Sequence, residues 1–323
     1  YFRMTILIVI LVIAAVVFFG LLYSLYNTAA RNSDKMKERV VPLPQKKELD
    51  PYRDEMKMLV EQMWDLPWET VQTRSKDGLT LSGRYLHVRD GAPVLIMAHG
   101  YRGSGLRDFC GGNKIARENG YNTLLIDNRA HGKSGGNTLT FGVKERYDIL
   151  CWIDYVTGRF GRDTEIFLYG ISMGASTVLM SSGLDLPANV KGVVADCPYS
   201  SPEAIVRHVI RLNKMPDNIF FPLVWMGIAL FGGASLKAAS CVEAVKKAKV
   251  PILLIHGTCD DFVPCEMSQE ISEACASEVQ LELFEGAIHG VSYLTNEPRY
   301  EKILLSFMDR CLEKPISGSS RSR

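Results

Sequence analysis

Gly170-Ile171-Ser172-Met173-Gly174 is the sharpest chemical signal in the chain, set between the apolar run Ile166–Tyr169 and the helix-forming run Ala175–Met180. A serine on a tight strand-to-helix turn needs glycine on both sides, because a Cβ there would clash. Such a turn lifts the hydroxyl clear of the backbone, and the N-terminus of the following helix stabilises negative charge beside it. A hydroxyl is a poor nucleophile without a base. The candidate base is His289, in Glu285-Gly286-Ala287-Ile288-His289-Gly290, just past the last expected strand. It would take the serine proton and return it to a leaving group. Such a base needs an orienting carboxylate, and Asp260 is the candidate, in His256-Gly257-Thr258-Cys259-Asp260-Asp261-Phe262-Val263-Pro264. Asp261 beside it, and Asp196 at the end of Val190–Ala195, are competing carboxylates. The chain order Ser, Asp, His, with the acid near the penultimate strand, favours Asp260.

Charge developing on a carbonyl oxygen needs two backbone donors. Met173, next to the serine, supplies one. The other is expected from His99-Gly100-Tyr101-Arg102-Gly103, where the Tyr101 amide is the candidate and Gly100 lets the backbone approach closely. His99 is read as a brace for that loop. The stretch Asp127–Gly136 contains Gly132-Lys133-Ser134 but lacks the earlier glycine of a phosphate-binding P-loop, so no nucleotide site is read there. Arg129 and His131 are expected to hold loops above the sheet by internal hydrogen bonds.

These residues need a scaffold that brings strand ends together. Val71–Arg74 and Leu79–Val88 flank Lys76-Asp77-Gly78, which reads as a hairpin with a type I′ turn. Short apolar runs follow at Val94–Ala98, Thr123–Ile126, Ile166–Tyr169, Val190–Ala195, Pro251–Ile255 and Val279–Phe284. Helical stretches separate them, such as Val143–Arg159 with Leu150, Ile153 and Val156 on one face. Continuous apolar strands alternating with helices imply a parallel sheet covered on both sides, with the antiparallel hairpin at one edge. The longer interval from Ser200 to about Val250 reads as an inserted cap. Its apolar middle, Ile219–Phe231, is too short to span a bilayer and is expected to pack on the core or to form an acyl-binding wall.

Composition excludes several classes. The 323 residues are 47% hydrophobic with a net charge of +1, so the basic footprint of a nucleic-acid binder is missing. Thr5–Tyr26 carries no charge and is long enough for a hydrocarbon core of roughly 30 Å. It lacks the small-residue cleavage site of a secretory signal, so an uncleaved transmembrane anchor is expected, with Met4 as the native start. Arg31, Lys35, Lys37 and Arg39 follow it and only Arg3 precedes it, which places the bulk of the chain in the cytoplasm. The eight cysteines show neither metal-site spacing nor a disulfide framework, which fits a reducing compartment.

From about Trp68 to Leu312 the chain resembles α/β-hydrolases of the serine-hydrolase type. The matching features are the H-G-Y strand end, the D-x-R-x-H-G-x-S-x-G loop, the G-x-S-x-G turn, the H-G-x-x-D-x-x-V-P acid loop and the terminal H-G. It is most similar to membrane-anchored bacterial members of esterase or serine-aminopeptidase-like character. The resemblance implies an α/β-hydrolase fold with a mostly parallel eight-stranded sheet, helices on both faces and a small helical cap. It also implies Ser172, Asp260 and His289 as a catalytic triad, and nothing in the sequence suggests a metal or organic cofactor. The expected reaction is cleavage of carboxylic (acyl) esters on apolar substrates near a membrane. A serine peptidase or amidase, or a thioesterase or acyltransferase, is the alternative, because this fold hosts all of them. Expected limits are an anchor over 1–26, a stalk over 27–61, a catalytic domain over 62–315 with the cap at 201–248, and a disordered tail over 316–323.

Overall fold

The computed structural model describes residues 2–32, 43 and 47–313. The expected tail at 316–323 and the proline-containing middle of the expected stalk, with Pro42, Pro44 and the basic Lys35, Lys37 and Arg39, lie outside the described residues. The strands are β1 (Glu69–Arg74), β2 (Thr80–Leu86), β3 (Val94–Ala98), β4 (Asn122–Ile126), β5 (Ile166–Ile171), β6 (Val190–Asp196), β7 (Ile252–Gly257) and β8 (Val279–Phe284). They form one sheet in the order β1-β2-β4-β3-β5-β6-β7-β8. β2 pairs antiparallel with both β1 and β4, and every other pairing is parallel. All residues of β3, β4 and β7 are buried, which is why those strands read as unbroken apolar runs instead of alternating ones.

Helices cover both faces. Glu145–Phe160 and Met173–Ser182 pack Trp152, Val156 and Val178 on one side, while Arg53–Trp64, Cys110–Glu118 and Glu297–Glu313 pack Met63, Ile115 and Phe307 on the other. Two local expectations shift. The buried face of Glu145–Phe160 is Ile149, Trp152, Ile153 and Val156, with Leu150 at its edge. A helix turns once in 3.6 residues, so a strict spacing of three drifts off the stripe. The hairpin turn is not type I′, because of its residues only Gly78 has a positive φ, at 88°. Ser75 N donates to Leu79 O, leaving a three-residue loop that needs one left-handed position and not two.

A third apolar cluster is built largely from the chain that connects β6 to β7. Its helices are Pro202–Leu212 and Asp217–Gly227, and the second continues as a π-helical turn at Ile228–Gly232. Phe221, Val224 and Ile228 are buried there together with Met173, Tyr199 and Val263. Ile219, Leu230 and Phe231 remain exposed. The same cluster takes in Tyr26 and Ala30 from the N-terminal helix Phe2–Ala29. That helix is long and apolar enough, by length and composition, to cross a membrane. It runs three residues past the expected anchor limit, and the stretch read as a stalk is packed at both described ends: Ala30 and Asn32 are buried, as are Leu49 and Leu59.

Candidate active site

β5 ends in the centre of the sheet, beside β3, and hands directly to the helix Met173–Ser182 through Ser172. Ser172 has φ 55° and ψ −116°, a backbone that only a tightly packed turn holds for a residue with a side chain. The flanking glycines are obligatory here. A Cβ on Gly174 would lie 1.8 Å from Ala98 O, and one on Gly170 would lie 2.3 Å from the Gly174 carbonyl. The turn can therefore be this sharp only because β3 and the helix start come within backbone contact of it.

The three residues singled out by the motifs meet. The Ser172 hydroxyl donates to His289 Nε2 at 2.9 Å, and His289 Nδ1–H donates to Asp260 Oδ2 at 2.6 Å. Asp260 is wholly enclosed and heavily served by donors. Its Oδ1 accepts from the amides of Phe262 at 3.0 Å and Val263 at 2.8 Å, and His256 Nε2 lies 3.3 Å from Oδ2. Burial alone would raise the Asp260 pKa, but the hydrogen bonds of His256, His289 and Val263 overcome it and hold the carboxyl well below the usual range. The neighbouring Asp261 is exposed, and its carbonyl accepts from His208 Nε2 at 3.0 Å. Phe262 sets its ring edge-to-face against His289, with centroids 5.1 Å apart.

Across the site, the loop after β3 brings the Tyr101 backbone near Ser172. A Cβ built on Gly100 would sit 3.4 Å from Ser172 Cβ, so the loop runs within van der Waals reach of the serine. The amides on either side of Tyr101 are committed, Gly100 N to Asp108 Oδ2 at 2.9 Å and Arg102 N to His131 Nε2 at 3.1 Å. Met173 opens its helix, where main-chain N–H groups have no partner within the helix. His99 is fully buried, donating from Nδ1 to Gly100 O and accepting from Asn128 N, while Arg129 bonds Asp148 and Asp77. These residues brace the loops around the serine.

With strand order, turn and relay in place, comparison with known proteins becomes decisive. Residues 112–315 match the Prolyl oligopeptidase family. The chain belongs to that family. A Pyrococcus furiosus esterase shares the fold with a TM-score of 0.61 at 22% identity, covering 77% of this chain and 93% of the esterase. The acylaminoacyl peptidase of Pyrococcus horikoshii superposes with a TM-score of 0.57 at 21% identity, over 80% of this chain and 44% of that one. The uncharacterized protein YqkD of Bacillus subtilis is 26% identical over 233 residues, 72% of this chain and 76% of YqkD. The lysophosphatidylserine lipase of Macaca fascicularis is 22% identical over 211 residues, 61% of this chain and 50% of the lipase. The protein is thus an α/β-hydrolase with a mostly parallel eight-stranded sheet, and a hydrolase of that superfamily.

In this member of the prolyl oligopeptidase family, residues without an assigned role in the sequence complete the site. His256 lay in the acid-loop motif itself, yet only distances reveal that its Nε2, which donates to Val263 O at 2.8 Å, also lies 3.3 Å from Asp260 Oδ2. Asp196, the competing carboxylate, is buried at the end of β6 but accepts from Tyr300 Oη at 2.8 Å and not from His289. Its Oδ1 has no partner, and burial pushes its carboxyl up to about 6 against the opposing Tyr300 hydrogen bond. Cys197 brings a sulfur to within 4.8 Å of ligand atoms of Asp260 and His289. Burial pushes that thiol well up, so it stays neutral, and both His289 nitrogens are already engaged; the trio is poorly suited to a metal.

Two cavities meet at Ser172. One, of about 400 Å³, is lined by Leu25, Phe141, Met173, Ile205, Val206 and Val263 and is overwhelmingly apolar. The other, of about 340 Å³, is lined by Asp108, Asp196, Tyr169, Tyr293, Tyr300 and His289 and offers polar groups. Glu203 and Asp217, the cap carboxylates that could anchor a substrate amine, are both engaged: Arg207 lies 2.8 Å from Glu203, and Arg207 and Arg211 lie 3.3 and 3.1 Å from Asp217.

Proposed function

We propose that this hydrolase cleaves carboxylic esters bearing an apolar acyl chain, with Ser172 as nucleophile, His289 as general base and acid, and Asp260 as the orienting carboxylate. One observation carries this reading: the Ser172–His289–Asp260 relay lies at the meeting point of two cavities, one almost wholly apolar and one whose largely apolar wall also carries several hydroxyls and carboxylates. The first takes the acyl chain, and the second takes the alcohol. As Ser172 Oγ bonds to the carbonyl carbon, its proton passes to His289 Nε2 and the carbonyl π pair moves onto oxygen. The Met173 and Tyr101 amides receive that oxyanion, each such donor being worth about 3 kcal/mol of barrier. Collapse breaks the bond to the alkoxide, which leaves with the proton from His289. Water then attacks the acyl-enzyme, its proton going to His289, and the serine recovers that proton as the carboxylic acid departs.

We further propose that Phe2–Ala29 anchors the enzyme in a membrane. The basic residues after the helix favour a cytoplasmic catalytic domain, and protease protection in sealed vesicles checks that placement.

The amidase reading is less favoured because Glu203 and Asp217 are paired with arginines. The test sets p-nitrophenyl dodecanoate against dodecanoyl p-nitroanilide, using the full chain in detergent with Ser172→Ala as the blank. Faster ester cleavage that vanishes in the blank is expected. Preference for the anilide, or turnover surviving in the blank, overturns the reading.

A further inference from the structure

The N-terminal helix changes character along its length. From Phe2 to Leu21 its side chains are exposed, whereas Leu22 is 2% and Tyr26 4% accessible. The buried end is built into the domain. Gly227 on the cap approaches so closely that a Cβ there would lie 2.5 Å from Leu22 O. Tyr26 Oη is 2.6 Å from Thr138 Oγ1, Leu139 N donates to Ala30 O, and Asn32 Nδ2 donates to Ala130 O at 2.6 Å. A tether needs none of this.

Three hydrogen bonds join the end of the helix to the Tyr101 loop. Tyr101 Oη donates to Ala29 O at 2.8 Å, and the Arg102 guanidinium donates to Thr28 O at 2.9 Å and to Arg31 O at 3.2 Å. Carbonyls in the last turn of a helix have no partner within it, so here the loop bearing the Tyr101 amide supplies one. Arg102 holds a positive φ of 48°, a conformation its neighbours must stabilise. Leu25, Thr28 and Ala29 also line the apolar cavity that Ser172 and Met173 enter. Beside them, Phe231 of the exposed cap surface packs on Tyr23 and Tyr26, with centroids 5.2 and 5.9 Å apart.

We propose that the last two turns of this helix are part of the substrate site: Leu25, Thr28 and Ala29 wall the acyl cavity, and the Ala29 and Thr28 carbonyls position the Tyr101 loop. The chemical class this fits is an ester whose acyl chain comes from lipid, since the wall of the cavity is continuous with the helix that enters the bilayer. The inference rests on the acyl-ester reading above.

The experiment uses the full chain in phosphatidylcholine nanodiscs and p-nitrophenyl esters from acetyl to dodecanoyl. Ala29→Phe, which fills the cavity, is expected to lower the dodecanoyl-to-acetyl ratio of kcat/KM at least tenfold. Leu25→Ala, which widens it, is expected to move the optimum to longer chains. Leu11→Ala, on the exposed stretch, is expected to leave the profile unchanged. A dodecyl fluorophosphonate carrying a diazirine near its chain end provides a second measurement, independent of ester turnover. After phosphonylating Ser172 it should photolabel residues 22–32. Absence of Ser172-dependent ester turnover, with labelling retained, would overturn the ester reading and leave the wall assignment standing. Labelling elsewhere, or equal effects of Ala29→Phe on all chain lengths, overturns the wall assignment.

Discussion

Asp196 ends β6 and Asp260 lies just past the neighbouring β7, both buried, yet their surroundings give them opposite tendencies. Asp260 has two backbone amides and two histidines around it, and its carboxyl is held strongly ionised. Asp196 has one tyrosine hydroxyl and an orphan oxygen, and burial moves it up to about 6. The difference lies in the number of donors and not in depth. The β7 loop folds back so that Phe262 and Val263 aim their amides at Asp260, whereas Asp196 on β6 meets Tyr300 of the helix Glu297–Glu313, which in turn bonds Tyr169 of β5 at 2.5 Å. An ionised acid suits the role proposed for Asp260, stabilising an imidazolium on His289. A carboxyl pushed up by burial suits a hydrogen-bonding place in the wall of the second cavity.

The sharpest way to break this comparison begins at the serine. Ser172→Ala should remove ester turnover by roughly 10⁴-fold or more with the melting temperature nearly unchanged, as read by steady-state kinetics and calorimetry. Asp260→Asn should cost about 10³–10⁴-fold in kcat, because the imidazole loses the partner that fixes its tautomer. Asp196→Asn should cost less than about tenfold, since Asp196 makes no bond to His289. If the Asp196 variant is the crippled one, the two roles are reversed.

Stability against pH separates the two acids independently of activity. A carboxyl with a raised folded pKa binds its proton more tightly folded than unfolded, so its contribution falls as pH rises from about 4 to about 6. Asp196→Asn should remove that loss, raising stability above pH 7 by up to about 3 kcal/mol and little at pH 4, measured by urea unfolding. Asp260 has the opposite sign: its folded pKa is depressed, so its contribution is full above about pH 4 and fades as acid protonates it. The smallest effect expected is Tyr300→Phe, which strips Asp196 of its one donor and should raise its pKa further, with kcat changed only a few-fold.

Much of the site was legible before any coordinates. Gly170, Ser172 and Gly174 announce the turn because only glycine tolerates contacts at these distances, and chain order pointed to Asp260 and His289. Chain order already favoured Asp260 over Asp196, and the distances add that Asp260, and not Asp196, bonds His289. The packing of the end of the N-terminal helix on the domain was hidden for a different reason. A helix apolar all round has no stripe to say which of its residues meet the rest of the protein, so Leu22 and Tyr26 look no different from Leu11 and Val12. The hairpin turn was misjudged because Asp-Gly permits two left-handed residues, while the three-residue spacing from Ser75 to Leu79 requires one.

The most direct measurement is kcat/KM of the full chain for p-nitrophenyl esters from acetyl to dodecanoyl, with Ser172→Ala subtracted. An apolar cavity of about 400 Å³ beside the serine leads to rising efficiency with chain length. Efficiency that peaks at acetyl and falls with every added methylene would contradict the assignment of that cavity to the acyl chain.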